Sequence, residues 1–230
     1  MSAKFQLFFK HFTEYGGYKN ILLGLRNTLI IAICGLLIGI FIGTFIACLQ
    51  VAAKRNKTVK AFAVIGEVYT AVFRGTPIIV QLLIFHYIIF AGANVNSLLE
   101  AILVFGLNSG AYVSEIMRGG IASVDAGQLE AGRTLGLSYT TTMLKIVFPQ
   151  AIKNVIPSLG NELIALTKDT SVAGYVATMD LNLAFRAIAG ATYDFMVPYI
   201  MLALVYLVII ALMTVLVRVA ERRLRKSEKR

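Results

Sequence analysis

The sequence has few charged residues, and this scarcity excludes an ordinary soluble domain. Asp, Glu, Lys and Arg make up 15% of the 230 residues, whereas about 25% is typical of soluble proteins. Hydrophobic residues account for 58% of the chain, and the mean hydropathy is +0.77. The 22 basic residues exceed the 12 acidic ones, but they flank apolar runs, which argues against nucleic-acid binding. The composition indicates an integral membrane protein.

A disulfide pair, a signal peptide and a phosphate-binding loop are also missing from the sequence. Cys34 and Cys48 lie in one apolar run, so we expect neither a disulfide nor a metal site. Residues 1–20 lack the uninterrupted apolar core of a signal peptide, and the first span is expected to act as its own insertion signal. Without a Gly-x-x-x-x-Gly-Lys-Ser/Thr loop, the chain is not expected to hydrolyse ATP by itself.

Long apolar stretches predict an all-α polytopic fold with five transmembrane helices in a single domain. About 20 apolar residues at 1.5 Å each cross the hydrocarbon core of a bilayer. Residues 3–18 place aromatic side chains near helical spacing among polar ones and predict a helix lying in the membrane interface. Residues 178–194 are interpreted as an outer loop. The five predicted spans cover residues 27–53, 61–91, 98–119, 158–177 and 195–217.

The distribution of Lys and Arg predicts the orientation of these spans. The loop 54–60, the segment 118–153 and the tail would share one side, which then carries fifteen basic residues. The opposite side carries five. Because basic loops stay in the cytoplasm, we expect the N-terminus outside and the C-terminus in the cytoplasm.

One long polar stretch, residues 125–150, interrupts the apolar runs, and we call it the polar segment. Its charged residues, Asp125, Glu130, Arg133 and Lys145, place it outside the hydrocarbon. Its pattern predicts a short helix, a break at residues 136–138, and a second helix capped by Ser138 that ends at Pro149. Such a helix pair predicts a docking surface for a soluble partner. An ordinary interfacial loop is the alternative.

The second predicted span contains a helix breaker. It carries Arg74-Gly75-Thr76-Pro77, where Thr76 would cap a half-helix begun by Pro77. Such a break would direct Arg74 and unpaired backbone donors into the interior. His86, further along, is interpreted as a packing residue. In the first span, Gly35, Gly39, Gly43 and Ala47 recur every four residues and predict close packing against another helix of the same chain, with a dimer seam as the alternative.

Acidic residues inside predicted spans are candidates for substrate binding. Glu162 and Asp169 lie two helical turns apart on one face of the fourth span, with Asn161 beside them. Glu67 adds an acid in the second span. Lys168 adjoins Asp169, so an ion pair is the alternative for that residue. Glu115 and Arg118 are three residues apart and are interpreted as an ion pair.

The polar segment resembles the cytoplasmic signature of permease subunits of ATP-binding-cassette (ABC) importers, known as the EAA motif. Its matching positions are Glu130-Ala131-Gly132, Gly136, Ile146 and Phe148-Pro149, with Gly132 in place of an alanine and Phe148 in place of a leucine. Further segments are similar to the polar amino-acid branch of that family, and the resemblance covers residues 20–225. They are Arg74-Gly75-Thr76-Pro77 with Gln81, Asn108-Ser109-Gly110-Ala111-Tyr112 with Glu115, Arg118-Gly119, Gly127-Gln128, Pro149-Gln150-Ala151, Gly160-Asn161-Glu162 and Lys168-Asp169-Thr170-Ser171.

The resemblance implies a bacterial inner-membrane complex. It would contain two permeases, two cytoplasmic ATPase subunits that bind ATP and Mg, and an extracytoplasmic solute-binding protein. The polar segment would be its coupling helix, with a coupling surface formed by Glu130, Ala131, Gly132 and Gly136. The second permease is expected to be an identical copy, with a homologous partner as the alternative.

The buried charges lead to a hypothesis about the substrate, a polar and preferably basic L-amino acid. Glu162 and Asn161, with Glu67 or Asp169, would receive its cationic groups. Arg74 and Thr76 would face its carboxylate. An ion-coupled secondary amino-acid transporter would also use midplane carboxylates and a broken helix, but it would not need the cytoplasmic signature. A membrane anchor without transport activity would not need the buried acids.

Overall fold

A computed structural model describes residues 2–53 and 57–228, and within them the only secondary structure is helical. The loop residues Lys54 and Arg55 and the terminal Lys229 and Arg230, which entered the orientation prediction, lie outside the described residues. The helices are α1 (Ser2–Thr13), α2 (Gly17–Ala53), α3 (Lys57–Gly75), α4 (Ile78–Ile84), α5 (Ser97–Ala122), α6 (Gly127–Thr134), α7 (Tyr139–Thr142), α8 (Phe148–Asp169), α9 (Leu181–Thr192) and α10 (Met196–Glu228).

Helix α2 packs along α5 and forms the centre of the bundle. The glycine ridge predicted from the sequence makes this contact. A Cβ atom added at Gly39 would lie 2.6 Å from the Ser109 hydroxyl, and one at Gly43 would lie 2.6 Å from the Ser114 backbone nitrogen. Ala47 at the end of the ridge is fully buried. The small residues therefore let the two helices approach within one chain, as predicted.

Helices α3 and α4 form a broken pair. Their axes, taken over Val59–Gly75 and Ile78–Ile89, differ by 107°. The break falls at the predicted position, but the predicted cap is wrong. Pro77 occupies the N-cap of α4, and the Thr76 hydroxyl donates to the carbonyl of Val72 in the preceding turn. Pro77 keeps an extended ψ of 139°, so its own backbone turns the chain.

Three helices in the described part of the chain are long and apolar enough to cross a membrane, and the bent pair would make four. They are Gly17–Ala53, Ser97–Ala122 and Met196–Arg223. The fourth predicted span, residues 158–177, corresponds largely to α8, which is not among them. Its charged residues, Lys153, Glu162, Lys168 and Asp169, interrupt every long apolar stretch of that helix. Length and composition alone therefore do not identify α8 as a span.

The start of the fourth predicted span differs from the sequence prediction. Helix α7, a π-helical turn over Met143–Val147, and α8 follow one another without a break, so Pro149 does not end the helix. This proline lies in the first turn of α8, directly after the wider π turn, where its ring and missing N–H are tolerated. Pro157 lies further inside the same helix. The end also differs, because α8 stops at Asp169 and a 3₁₀ turn covers Thr170–Val176.

The predicted outer loop, residues 178–194, is largely helical. Asp180 caps α9 by accepting a hydrogen bond of 2.7 Å from the Leu183 backbone N–H. Apolar residues of α9, including Phe185 and Ile188, are buried against α1, α2 and α10. The sequence interpretation missed this helix because it is only 12 residues long and owes its burial to distant parts of the chain.

The amphipathic N-terminal helix α1 lies against α9 and the start of α10. Phe8 is buried and stacks on Phe185 with ring centroids 6.4 Å apart. The Lys4 ammonium donates a 2.8 Å hydrogen bond to Asp194 and lowers the pKa of that carboxyl. The helix is therefore attached to the bundle by aromatic packing and by an ion pair.

Candidate substrate path and coupling surface

The polar segment forms two helices joined by a tight turn. Ser138 caps α7 as predicted, its hydroxyl accepting a 3.2 Å hydrogen bond from the Thr141 backbone N–H. Gly136 adopts a φ of +77°, which favours glycine. A Cβ atom there would meet no heavy atom within 4 Å. The turn therefore needs glycine for its backbone conformation, whereas the space around the residue is open.

The four predicted coupling residues do not all face the same way. Glu130 and Ala131 are exposed, but Gly132 is buried. A Cβ atom at Gly132 would lie 2.5 Å from a Thr142 methyl group, so this glycine packs α6 against α7. The structure adds exposed apolar side chains to the surface. They are Leu135, Leu137 and Leu144.

Glu162 is the acid that the structure positions most clearly. It is half-buried on α8 and accepts a 3.0 Å hydrogen bond from the Ser109 hydroxyl of α5. Asn161 and Asp169 are exposed on the same helix. The sequence interpretation placed Glu162 on an interior face but did not identify Ser109 as its partner. The Gly39 contact explains this position, because it brings α2 against the backbone and side chain of Ser109.

A cluster of charged side chains lies where α3 meets α5. The predicted ion pair between Glu115 and Arg118 is present, with a nitrogen–oxygen distance of 2.5 Å. Arg74, at the end of α3, lies 3.9 Å from the same carboxylate. Its guanidinium also lies over the Tyr112 ring, 5.5 Å from the centroid. The sequence interpretation identified each charged residue but did not predict that Arg74 and Glu115 meet.

The helix break that positions Arg74 is held by a buried amide network. Gln81 Nε2 donates to the carbonyls of Phe73 and Thr76 at 2.8 and 3.0 Å. Asn108 Nδ2 donates to Gln81 Oε1 at 3.0 Å. The amides thus satisfy carbonyls that the interrupted helix leaves without its own donors. Gln81 and Asn108 belong to the segments that carry the family resemblance, and the network gives them a physical role.

A cavity of about 1080 Å³ opens between α2, α3, α5 and the polar segment. Its wall combines both signs of charge, with Glu67 and Glu115 opposite in sign to Lys60 and Arg118. Asp125, Tyr139 and Met143 contribute from the polar segment. The cavity therefore extends from α2, α3 and α5 to the polar segment.

The six predicted substrate residues fall in three places. Glu67 lines the cavity. Arg74 lies at the bend with Glu115, and the adjacent Thr76 hydroxyl is engaged with its own helix and with Gln81. The third place is α8, which carries Glu162, Asn161 and Asp169. Arg74 contacts Glu115, which lines the cavity. Glu162 contacts α5 through the Ser109 hydroxyl.

Two buried acids outside these places were missed by the sequence interpretation. Glu100 on α5 is 2% exposed, and its carboxylate lies 3.0 Å from His86 Nδ1. The interpretation of His86 as a packing residue is therefore wrong. Asp180 is fully buried, and burial raises its pKa to about 6. Neither acid is surrounded by a recognisable motif, and their burial follows from contacts between distant helices.

Comparison with known proteins identifies membrane components of transport systems as relatives of this chain. Residues 35–226 match the family described as binding-protein-dependent transport system inner membrane component. The arginine transport system permease protein ArtQ of Bacillus subtilis is 35% identical, covering 90% of this chain and 94% of that protein. A putative glutamine transport system permease protein GlnP of Rickettsia bellii is 36% identical, covering 87% and 91%.

A solved structure has the same overall architecture. The crystal structure of an amino acid ABC transporter with histidines superimposes with a TM-score of 0.81 at 34% identity. The match covers 92% of this chain and 97% of that one. At this identity and coverage, the likeness extends to the sequence as well as the fold.

Proposed function

The chain belongs to the family of binding-protein-dependent transport system inner-membrane components and is a permease of amino-acid ABC transporters; from that premise we propose that it carries basic L-amino acids. A permease of this kind is a transport component of the bacterial inner membrane and is not itself the ATPase. The family also implies partners that hydrolyse ATP and bind the substrate.

The observation that carries the proposal is the position of Glu162. This half-buried carboxylate is held by the Ser109 hydroxyl at 3.0 Å on a helix with three further charged residues. An acid in a membrane-embedded helix requires a compensating partner. The ammonium or side-chain cation of a basic amino acid would provide one. Asn161, Glu67 and Asp169 are assigned additional contacts to the cationic groups of the substrate as it crosses the membrane.

The names of the relatives support this substrate class in part. One similar protein is named for arginine, and one similar structure is described with histidines. Another relative is named for glutamine, so family membership alone does not select basic substrates. The proposal therefore depends on Glu162.

The opposite end of the substrate is assigned to the helix break. Arg74 carries a guanidinium whose planar donors match a carboxylate. It lies at the end of α3, directly before the break at Thr76 and Pro77. In this assignment Thr76 acts through the backbone turn, because its hydroxyl is already bonded to Val72 and Gln81.

The polar segment is assigned to ATPase coupling. ATP and Mg would be bound by the partner ATPase, with two identical permeases in each complex. Glu130 and Ala131 would face the ATPase together with the exposed leucines at 135, 137 and 144. Gly132 and Gly136 would act indirectly, since one closes the packing of α6 on α7 and the other sets the turn.

We assign α8 as the fourth of five spans, with its charged face directed into the complex and away from lipid. The N-terminus would be outside, and the polar segment and C-terminus would be cytoplasmic. The alternative of an ion-coupled secondary transporter is not favoured by the family. Such a transporter also offers no role for a displayed helix pair with exposed leucines.

The replacement Glu162→Gln in the assembled transporter tests the proposal. We expect ATP hydrolysis stimulated by arginine, lysine or histidine to require at least tenfold more substrate, because a neutral amide cannot pair with a cation. The control is Glu14→Gln, which neutralises an exposed acid beyond the end of α1. An unchanged response to basic amino acids in the Glu162 variant would contradict the proposal.

A further inference from the structure

Arg74, which the proposed function assigns to the substrate carboxylate, already has a carboxylate beside it. Its guanidinium nitrogen lies 3.9 Å from Glu115 Oε2. The Arg74 side chain is 43% exposed and that of Glu115 is 28% exposed, so a ligand can reach both. Glu115 also lines the large cavity. A free amino acid that binds Arg74 through its carboxylate would therefore have to replace Glu115 at this contact.

The two cationic partners of Glu115 are not equivalent. Arg118 lies one turn further along the same helix and contacts the carboxylate at 2.5 Å. Arg74 approaches from another helix at 3.9 Å. Because Arg118 and Glu115 share α5, their pair survives any relative movement of α3. The contact to Arg74 is therefore the exchangeable one.

Tyr112 lets Arg74 change its anion without leaving its place. The guanidinium lies over the Tyr112 ring, 5.5 Å from the centroid. A ring face attracts a cation without occupying its N–H donors. Arg74 thus stays at the helix break while its donors turn from one carboxylate to another.

We propose that Glu115 is a stand-in for the substrate carboxylate. Glu115 neutralises Arg74 when no substrate is bound. When an amino acid enters, its α-carboxylate replaces Glu115 as the partner of Arg74, while Glu115 stays paired with Arg118. This inference rests on the proposed function, because it requires Arg74 to bind the substrate. Glu115 acts here through Arg74 and is a positioning residue. The exchange keeps Arg74 paired with a carboxylate at every stage.

The proposal makes an unusual prediction about affinity. Removing a competing carboxylate strengthens substrate binding, whereas removing a direct ligand weakens it. The increase in substrate affinity should match the contribution of one partly exposed ion pair, which is about three- to fivefold. It should also depend on the substrate carboxylate. L-argininamide, which has the same side chain and ammonium but no carboxylate, should gain nothing.

The experiment measures binding of radiolabelled L-arginine to the purified permease–ATPase complex without its solute-binding protein, with L-argininamide as competitor. In Glu115→Gln we expect arginine to bind about three- to fivefold more tightly. Glu115→Asp, whose shorter carboxylate keeps the neighbour Arg118 but withdraws from Arg74, should show a gain of the same sign. It also keeps the test available if the amide variant does not assemble.

Arg118→Gln provides the reciprocal test. Within the described part of the chain, Glu115 then keeps Arg74 as its cationic partner, so arginine should bind more weakly than to the wild type. The double variant with Glu115→Gln should bind arginine more tightly than Arg118→Gln does. A purely structural ion pair would change arginine and argininamide in the same direction in every variant.

Three results would overturn the inference. Weaker binding of both ligands to Glu115→Gln would make Glu115 a direct ligand of the cationic group, and unchanged arginine binding would remove any competition. Unchanged arginine binding to Arg74→Gln would overturn both this inference and the carboxylate assignment. The response of Glu162→Gln remains a separate measure of the proposed substrate class, so failure of the stand-in role is distinguishable from failure of that class.

Discussion

The Ser109 hydroxyl donates a 3.0 Å hydrogen bond to Glu162 and thereby joins α5 to α8 at the principal acid of the proposed path. Ser109 is fully buried, and the glycine ridge of α2 lies directly against it. The position of Glu162 therefore depends on the packing of three helices, none of which could fix this carboxylate alone.

Replacing Ser109 with alanine should weaken substrate recognition without changing the charge. Glu162 would lose its hydrogen-bond donor from α5, and a bond to a charged group is worth about 1.5–3 kcal/mol. We expect the half-maximal arginine concentration for ATPase stimulation to rise by about tenfold or more. Ser123→Ala, at the end of α5, is the matched control. Equal responses of the two variants would contradict a role for Ser109 in holding Glu162.

Replacing Gly43 with alanine should destabilise the bundle. The new Cβ would lie 2.6 Å from the Ser114 backbone nitrogen and 2.8 Å from the Gly110 carbonyl oxygen. Backbone cannot move aside like a side chain, so we expect a loss of about 1–3 kcal/mol, seen as a lower unfolding temperature in detergent. Gly190→Ala serves as the control, because its Cβ would meet nothing within 4 Å. An unchanged unfolding temperature for the Gly43 variant would contradict close packing of α2 against α5 at this position.

Replacing Gly136 with valine should leave the permease inserted but uncouple it from ATP hydrolysis. A β-branched residue at a φ of +77° costs about 1–3 kcal/mol and would distort the turn between α6 and α7. Gly136→Asn separates conformation from size, since asparagine tolerates this region. We expect substrate-stimulated ATPase activity to be lost with valine and largely kept with asparagine. Normal transport by the valine variant would contradict the assigned role of the turn.

Asp180 should make the stability of the chain depend on pH. Burial raises its pKa from 3.8 to about 6, so the folded state holds the proton more tightly than the unfolded state. Stability from this group is complete below about pH 4 and declines as the pH rises to about 6, by about 3 kcal/mol in total.

The replacement Asp180→Asn isolates this effect, because the amide oxygen can still cap α9 at Leu183. Unfolding temperatures are measured in detergent between pH 4.5 and pH 7. The wild type should lose more stability across this range than the variant does. Identical pH profiles would show that Asp180 does not contribute.

The features that the sequence predicted correctly rest on local chemistry. Pro77 breaks the second span because of its own ring, Ser138 caps α7 with its own hydroxyl, and Gly39 packs closely because it lacks a side chain. Each can be recognised within a few residues. The i, i+3 pair of Glu115 and Arg118 belongs to the same class.

The features that the sequence did not predict depend on distant contacts. Helix α9 is buried by α1 and α10, and Glu100 is paired with His86, which lies just beyond the end of α4. The continuity of the helix through Pro149 depends on a π turn. The meeting of Arg74 with Glu115 requires the crossing of α3 over α5, which no pattern within either helix predicts.

Uptake of radiolabelled arginine into proteoliposomes tests the central claim most directly. The vesicles contain the permease with its ATPase and solute-binding protein, and they are assayed with and without ATP and with ion gradients collapsed. We predict uptake that requires ATP, persists without ion gradients, and is inhibited by lysine and histidine much more than by glutamine. Uptake driven by an ion gradient without ATP, or equal inhibition by glutamine, would contradict the account.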